Sequence, residues 1–201
     1  MDRNYKDTTL NYYNEQFEKF AGSTKDLEFS EIQDYFLHYV KPGSLVLDFG
    51  CGSGRDSRYF LQKGYRVEAI DGSEEMVRIA RETAGIPVKQ MLFNELDEVD
   101  KYDGIFCCAS ILHVPSAELP DIMTRLRKAV KMNGIVYVSF KYGDFEGYRN
   151  GRYFTDLKVD NFQKLLDTVG GFEILDTRIS TDARPGRDDE KWLNVMLRRI
   201  A

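Results

Sequence analysis

Asp48, Gly50, Gly52, Gly54 and Arg55 fall within ten residues, DFGCGSGRDS, and Asp71 closes a second apolar run 21 residues after Gly50. A glycine-rich loop of this kind lets a ligand approach the backbone closely. Two chemistries compete for it. The G-x-G-x-x-G fingerprint seats a dinucleotide's pyrophosphate, with the third glycine allowing close contact between helix and strand. Here the glycines alternate and position 55 is arginine, so the third glycine is off by one. Asp48, two residues before the first glycine, repels a pyrophosphate and suits an ammonium group. Asp71 is placed to accept both hydroxyls of a ribose. An amine at one end and a ribose at the other describe an amino-acid nucleoside without phosphates, the form of S-adenosylmethionine. The competing reading is a tight turn and nothing more. The ordered series of strand, aspartate, loop, helix, strand and aspartate argues for the ligand site.

The elements that must position these residues follow from hydrophobic periodicity. Leu10, Tyr13, Phe17 and Phe20 share one face of a helix expected over 8–20, and a second helix starts at Ser30 and ends at Pro42-Gly43. Strands are expected at 44–49, 66–70, 88–92, 102–108 and 134–140, alternating with helices at about 55–63, 74–83 and 117–131. That alternation predicts right-handed crossovers and a parallel sheet. After a helix over about 159–169, two runs at 172–180 and 192–200 have no helix between them and predict an antiparallel pair. The expectation is an α/β, Rossmann-like, seven-stranded, mostly parallel sheet with helices on both faces and a C-terminal antiparallel hairpin. It forms a single domain over 1–201, with an N-terminal helical cap (1–41) and a Rossmann-like core (42–201). No repeat, low-complexity tract or linker interrupts it.

Composition narrows the function. With 201 residues, 42% hydrophobic and 30% charged, the chain reads as an ordinary globular protein. A net charge of -5 argues against a grip on a nucleic-acid backbone. The start of the chain lacks a signal peptide's apolar core and no run of 18 apolar residues occurs, so no membrane partner and a cytoplasmic location are expected. The three cysteines, Cys51, Cys107 and Cys108, form no C-x-x-C and read as reduced, with Cys107 and Cys108 in an apolar run. The sequence allows a monomer or a homodimer.

VLDFGCGSGRDS followed by VEAIDGSEEM resembles the first two motifs of class I S-adenosylmethionine-dependent methyltransferases. YDGIFCCASILHVP, together with GRD in the loop, is most similar to the small tellurite-resistance-related group. The likeness extends over nearly the whole chain, from YYN (12–14) to GRYF (151–154). The resemblance implies S-adenosyl-L-methionine as cofactor and places the backbone of Gly50, Cys51 and Gly52, with Gly54 and Arg55 completing the loop, against its methionine part. Asp48 would hold the ammonium directly or through water, and Asp71 the ribose. Met76, following Gly72 and Ser73, would pack on the adenine. Leu92 stands where relatives often carry an acid for the adenine amine, which leaves that contact to the Phe93 backbone or to Asn94. Cys108, Ala109 and Ser110 would line the methionine side, and Tyr12 or Tyr13 would reach in from the first helix. Cys51 contributes its backbone; a role as nucleophile would need a lowered pKa, with Arg55 as the only candidate cause.

On the acceptor side, His113 has an unperturbed pKa suited to a general base, or packs and hydrogen-bonds to loop backbone. His38, within a helix, reads as structural. KYGDFEGYRNGRYF (141–154) mixes cations, aromatics and glycines and reads as a flexible loop. Either Arg152 and Tyr153 enter the pocket and orient an anionic or aromatic acceptor, or the segment is a solvated lid. Arg184 and Arg187 lie near the same edge. No metal is expected, since no carboxylate cluster can be placed. The leading reading is methyl transfer to a small-molecule acceptor, with His113, Arg152 and Tyr153 as catalytic candidates. The alternatives are a nicotinamide-dependent oxidoreductase and a non-catalytic module that binds S-adenosylmethionine.

Overall fold

The computed structural model describes residues 4–201, so the first three residues of the expected cap lie outside the described residues. Three helices come first: α1 (Tyr5–Glu15), α2 (Phe17–Thr24) and α3 (Ser30–Leu37). The single helix expected over 8–20 is broken at Gln16, whose φ of -108° and ψ of 20° leave the helical region. The break lets Phe20 meet Tyr13 edge-on, with ring centroids 5.0 Å apart.

The core alternates as the apolar runs predict. β1 (Leu45–Phe49), α4 (Arg55–Gln62), β2 (Arg66–Asp71), α5 (Glu74–Ala84), β3 (Val88–Gln90), β4 (Tyr102–Cys107), α6 (Leu119–Ala129) and β5 (Val130–Lys141) follow one another. A two-stranded hairpin, β6 (Glu146–Arg149) and β7 (Arg152–Thr155), precedes α7 (Val159–Val169), β8 (Phe172–Thr181) and β9 (Lys191–Arg199). The main sheet has the order β3-β2-β1-β4-β5-β9-β8. β1 to β5 pair in parallel, while β9 runs antiparallel to both β5 and β8.

Period-two strands feed two cores. Leu47, Ile105, Val136 and Leu197 face α6 and α7, packing with Met123, Leu126 and Phe162. Val46, Phe106, Tyr137 and Met196 face α3 and α4, packing with Phe36 and Phe60. Phe36, Phe60 and Phe106 are fully buried, with centroids 5.1–5.6 Å apart, and each burial contributes about 1.5–3 kcal/mol. Among the described residues no helix is long and apolar enough to cross a membrane.

The flexible loop expected over 141–154 is instead the β6–β7 hairpin. Arg149 pairs with Arg152, leaving Asn150 and Gly151 as the turn, with φ of +51° and +78°. Positive φ at both central residues defines the turn whose twist matches the flanking strands, and Asn-Gly is its preferred pair. The hairpin is fastened to α1: Tyr153 N donates to Thr9 Oγ1 at 3.1 Å, and the Tyr5 and Tyr153 rings lie 5.5 Å apart.

Candidate functional site

Strand order reverses between β1 and β4, and the crevice beyond their carboxyl ends is the ligand position of an open parallel sheet. A cavity of about 510 Å³ opens there. Gly50 leaves β1 with φ +82°, and a Cβ on it would come within 2.5 Å of Ser110 Cβ, after β4. No side chain fits between the two loops. Gly54 takes over the packing role of the displaced third glycine: at φ +79° it begins α4, and a Cβ there would lie 2.9 Å from the Ala80 Cα of α5.

Most of the residues expected at the cofactor line this cavity: Gly50, Cys51, Gly52, Arg55, Asp71, Gly72, Met76, Leu92, Phe93, Cys108, Ala109 and Ser110. Asp71 is held ready. Its Oδ2 accepts from Gly52 N and its Oδ1 from Ser73 N, each at 2.9 Å, so each oxygen keeps a lone pair for the cavity. Burial raises its pKa, while these backbone N–H groups act against the rise. Ser110 is 5% exposed, and its Oγ is buried without a partner among the described residues.

Tyr12, Asp48, Gly54 and Ser73 do not line the cavity. Ser73 caps α5, accepting from Met76 N, and donates to Asn14 of α1 at 2.7 Å. The Tyr12 ring lies under the Arg152 guanidinium at 4.5 Å. Asp48 is 2% exposed, beneath the loop, where Ser57 Oγ donates to its Oδ2 at 2.6 Å. Burial, with Asp56 adding, pushes its pKa up to about 8. The loop's cavity-lining carboxylate is Asp56, held by Arg55 in a two-pronged pair at 2.9 Å and by Gln33 at 2.6 Å. GRDS carried that residue, which lies in the first turn of α4, while Asp48 belongs to β1.

Burial sends the Cys51 thiol well above its ordinary pKa and Cys108 up to about 12, the opposite of an activated nucleophile.

On the acceptor side, His113 and Arg152 line the cavity together with Tyr13, which the sequence left paired with Tyr12 as a choice. His113 is 9% exposed, and burial, opposed by a bond to the Tyr153 carbonyl, lowers its pKa to about 3. Both ring nitrogens are engaged: Nδ1 with Tyr153 O at 2.6 Å and Nε2 with Tyr13 Oη at 2.9 Å. Tyr153 itself does not line the cavity; its hydroxyl donates to Glu146 at 2.9 Å and its backbone holds His113.

Arg152 sits among the rings of Tyr12, Tyr13 and Phe154, and its Nη1 donates to Tyr13 Oη at 3.3 Å. The other lysines and arginines lining the cavity have carboxylates: Lys6 with Glu118, Arg55 with Asp56, Lys141 and Arg187 with Glu190, and Arg184 with Asp182. Among the described residues Arg152 has none, and its Nε is buried without a partner.

The sheet order, with the glycine loop at the switch point and an acid after β2, defines a Rossmann-like α/β fold of the kind that class I methyltransferases have. Residues 46–134 match the family model of a methyltransferase domain. An uncharacterized methyltransferase of Staphylococcus carnosus is 25% identical over 167 residues, 77% of this chain and 81% of that protein. A ubiquinone biosynthesis O-methyltransferase of Xanthomonas campestris pv. campestris is 28% identical over 137 residues, 57% of this chain and 56% of the enzyme, so the match spans little more than half its length. In structure the chain is similar to magnesium protoporphyrin IX methyltransferase from Synechocystis PCC 6803 with bound S-adenosylhomocysteine. The TM-score is 0.78 at 21% identity, covering 96% of this chain and 99% of that one. Solved structures of that Synechocystis enzyme hold S-adenosylhomocysteine or S-adenosylmethionine. The residues present fit S-adenosylmethionine: each oxygen of Asp71 keeps a lone pair for the cavity and, among the described residues, the buried Ser110 Oγ lacks a partner.

Proposed function

We propose that this chain transfers the methyl group of S-adenosylmethionine to a small anionic acceptor with an aromatic or similarly flat body. The observation that carries the acceptor class is Arg152, a cavity-lining cation with no carboxylate and a buried, unpartnered Nε. A buried polar group without a partner is costly, and an anion supplies what is missing through charge-assisted hydrogen bonds. The neighbouring rings of Tyr13 and Phe154 offer apolar faces to the same ligand.

Asp71 would hold the ribose, the Gly50–Gly52 backbone and Ser110 the methionine part, and Met76 with Phe93 the base. Bound there, the cofactor supplies an already activated methyl group. What remains for the protein is to place the nucleophile in line and exclude water. The α1–hairpin lid and His113 would serve those tasks. The likeness to the tellurite-resistance-related group agrees with a soluble, low-mass acceptor. The O-methyltransferase among the sequence relatives favours oxygen as the atom methylated.

The test is label transfer from methyl-radiolabelled S-adenosylmethionine to a panel of small acids, phenols, thiols and metalloid oxyanions. Arg152→Ala should leave affinity for S-adenosylhomocysteine nearly unchanged and lower transfer about ten- to a hundredfold, the loss of one charge-assisted hydrogen bond. Normal turnover by Arg152→Ala on an identified acceptor refutes the anionic class.

A further inference from the structure

Tyr13 stands where His113 and Arg152 converge, and the direction of every hydrogen bond there is fixed. The Tyr153 carbonyl can only accept, so His113 Nδ1, 2.6 Å away, carries the ring proton. Nε2 of the neutral ring then has only its lone pair, and the Tyr13 phenol at 2.9 Å must donate to it. Arg152 Nη1 at 3.3 Å can only donate to the phenol. The single proton of Tyr13 is thus committed to His113. Toward the cavity that Tyr13 lines, its oxygen can act only as an acceptor.

We propose that Tyr13 is a catalytic residue that selects acceptors bearing an O–H or N–H on the atom to be methylated, takes that proton, and passes its own to His113 Nε2. The inference rests on the methyl-transfer reading above. The step balances. The acceptor atom forms its bond to the methyl carbon, and the pair of the methyl–sulfur bond stays on sulfur. The acceptor's proton ends on Tyr13 Oη, and the former phenolic proton ends on His113 Nε2. The positive charge lost from sulfur reappears on the imidazolium, so the buried site never gains net charge. Arg152 beside Oη favours the negative character that the oxygen carries during the hand-over. A thioether or tertiary amine brings no proton and sets its lone pair against those of Oη.

Two pairs of probes share a carboxylate and a ring and differ in that proton: 4-hydroxybenzoate and 4-aminobenzoate against 4-(methylthio)benzoate and 4-(dimethylamino)benzoate. Titration calorimetry on the complex with S-adenosylhomocysteine should find the protic members bound about tenfold more tightly. With radiolabelled S-adenosylmethionine, only protic probes should take label. Tyr13→Phe keeps the ring that packs on Phe20. It should erase the binding preference and lower kcat/KM for any labelled protic probe by about a hundredfold, with affinity for S-adenosylhomocysteine within about twofold. Equal binding of protic and aprotic probes to the wild type, no binding of any of them, or a preference that survives Tyr13→Phe overturns the proposal. Failure of the methyl-transfer reading looks different: the wild type would not bind S-adenosylhomocysteine at all.

Discussion

Replacing Asp71 by asparagine changes one atom at the point where the glycine loop and the cofactor meet. In the native site one carboxylate oxygen accepts from Gly52 N and the other from Ser73 N, each at 2.9 Å. Whichever position the amide nitrogen takes, it faces one of these N–H groups donor to donor. The same nitrogen offers a donor in place of an acceptor to one ribose hydroxyl. Losing one charge-assisted bond costs about 1.5–3 kcal/mol, and weakening the loop's own bond adds about 0.5–1.5 kcal/mol. Allowing for partial relaxation, the sum of about 2–4 kcal/mol corresponds to affinity for S-adenosylhomocysteine roughly 30- to 700-fold weaker. Calorimetric titration of wild type and variant measures this directly, with circular dichroism confirming an intact fold. Affinity within about threefold of wild type in a folded variant would refute the reasoning, since no such gap in binding energy would exist.

Gly54→Ala puts a methyl 2.9 Å from Ala80 Cα at φ +79°; it should destabilise the fold by about 1–3 kcal/mol in denaturant titration, and an unchanged midpoint would refute the packing role. His113, with a pKa near 3, is neutral in the native state, while the unfolded imidazole charges below about 6.5. Its contribution to stability is therefore present above pH 6.5 and lost as pH falls toward 3, by up to about 1.4 kcal/mol per unit. The same shift predicts no acidic limb near pH 6.5 in kcat/KM; a limb there that His113→Gln abolishes would contradict the site as described. Asp48 has the opposite sign: with its native pKa near 8, its contribution is lost as pH rises from about 4 through 8. Between pH 6.5 and 8, wild type should lose up to about 1.4 kcal/mol per unit relative to Asp48→Asn in parallel denaturant titrations; parallel curves would refute the buried, protonated Asp48.

The sequence made the main sheet legible because buried parallel strands are short apolar runs bounded by glycine, aspartate and charged residues. SLVLDF, RVEAI and GIVYVSF carry that pattern, and the long polar loop before WLNVMLRRI marked the antiparallel end. The β6–β7 hairpin was also written in the sequence, in the Asn150-Gly151 pair flanked by Tyr148 and Tyr153. The density of glycines around it pointed instead to a flexible loop. Local pattern could not decide which of Asp48 and Asp56 reaches the cavity, because Asp48 is taken up by Ser57 beneath the loop while Gln33, 23 residues from Asp56, holds Asp56 at the cavity. Nor could it pair Tyr13 with His113, 100 residues apart. Their contact exists because the hairpin's backbone holds the imidazole while α1, tied to the hairpin through Thr9, delivers the phenol.

The most direct test of the account is methyl transfer itself. Purified protein incubated with methyl-radiolabelled S-adenosylmethionine and the panel of small anionic acceptors should move label into a low-mass product, and S-adenosylhomocysteine should compete for the site. Retained binding of S-adenosylhomocysteine with no label transferred to any acceptor would leave a binding module and contradict the claim of catalysis. Tight binding of NAD with no affinity for S-adenosylhomocysteine would contradict the account at its root.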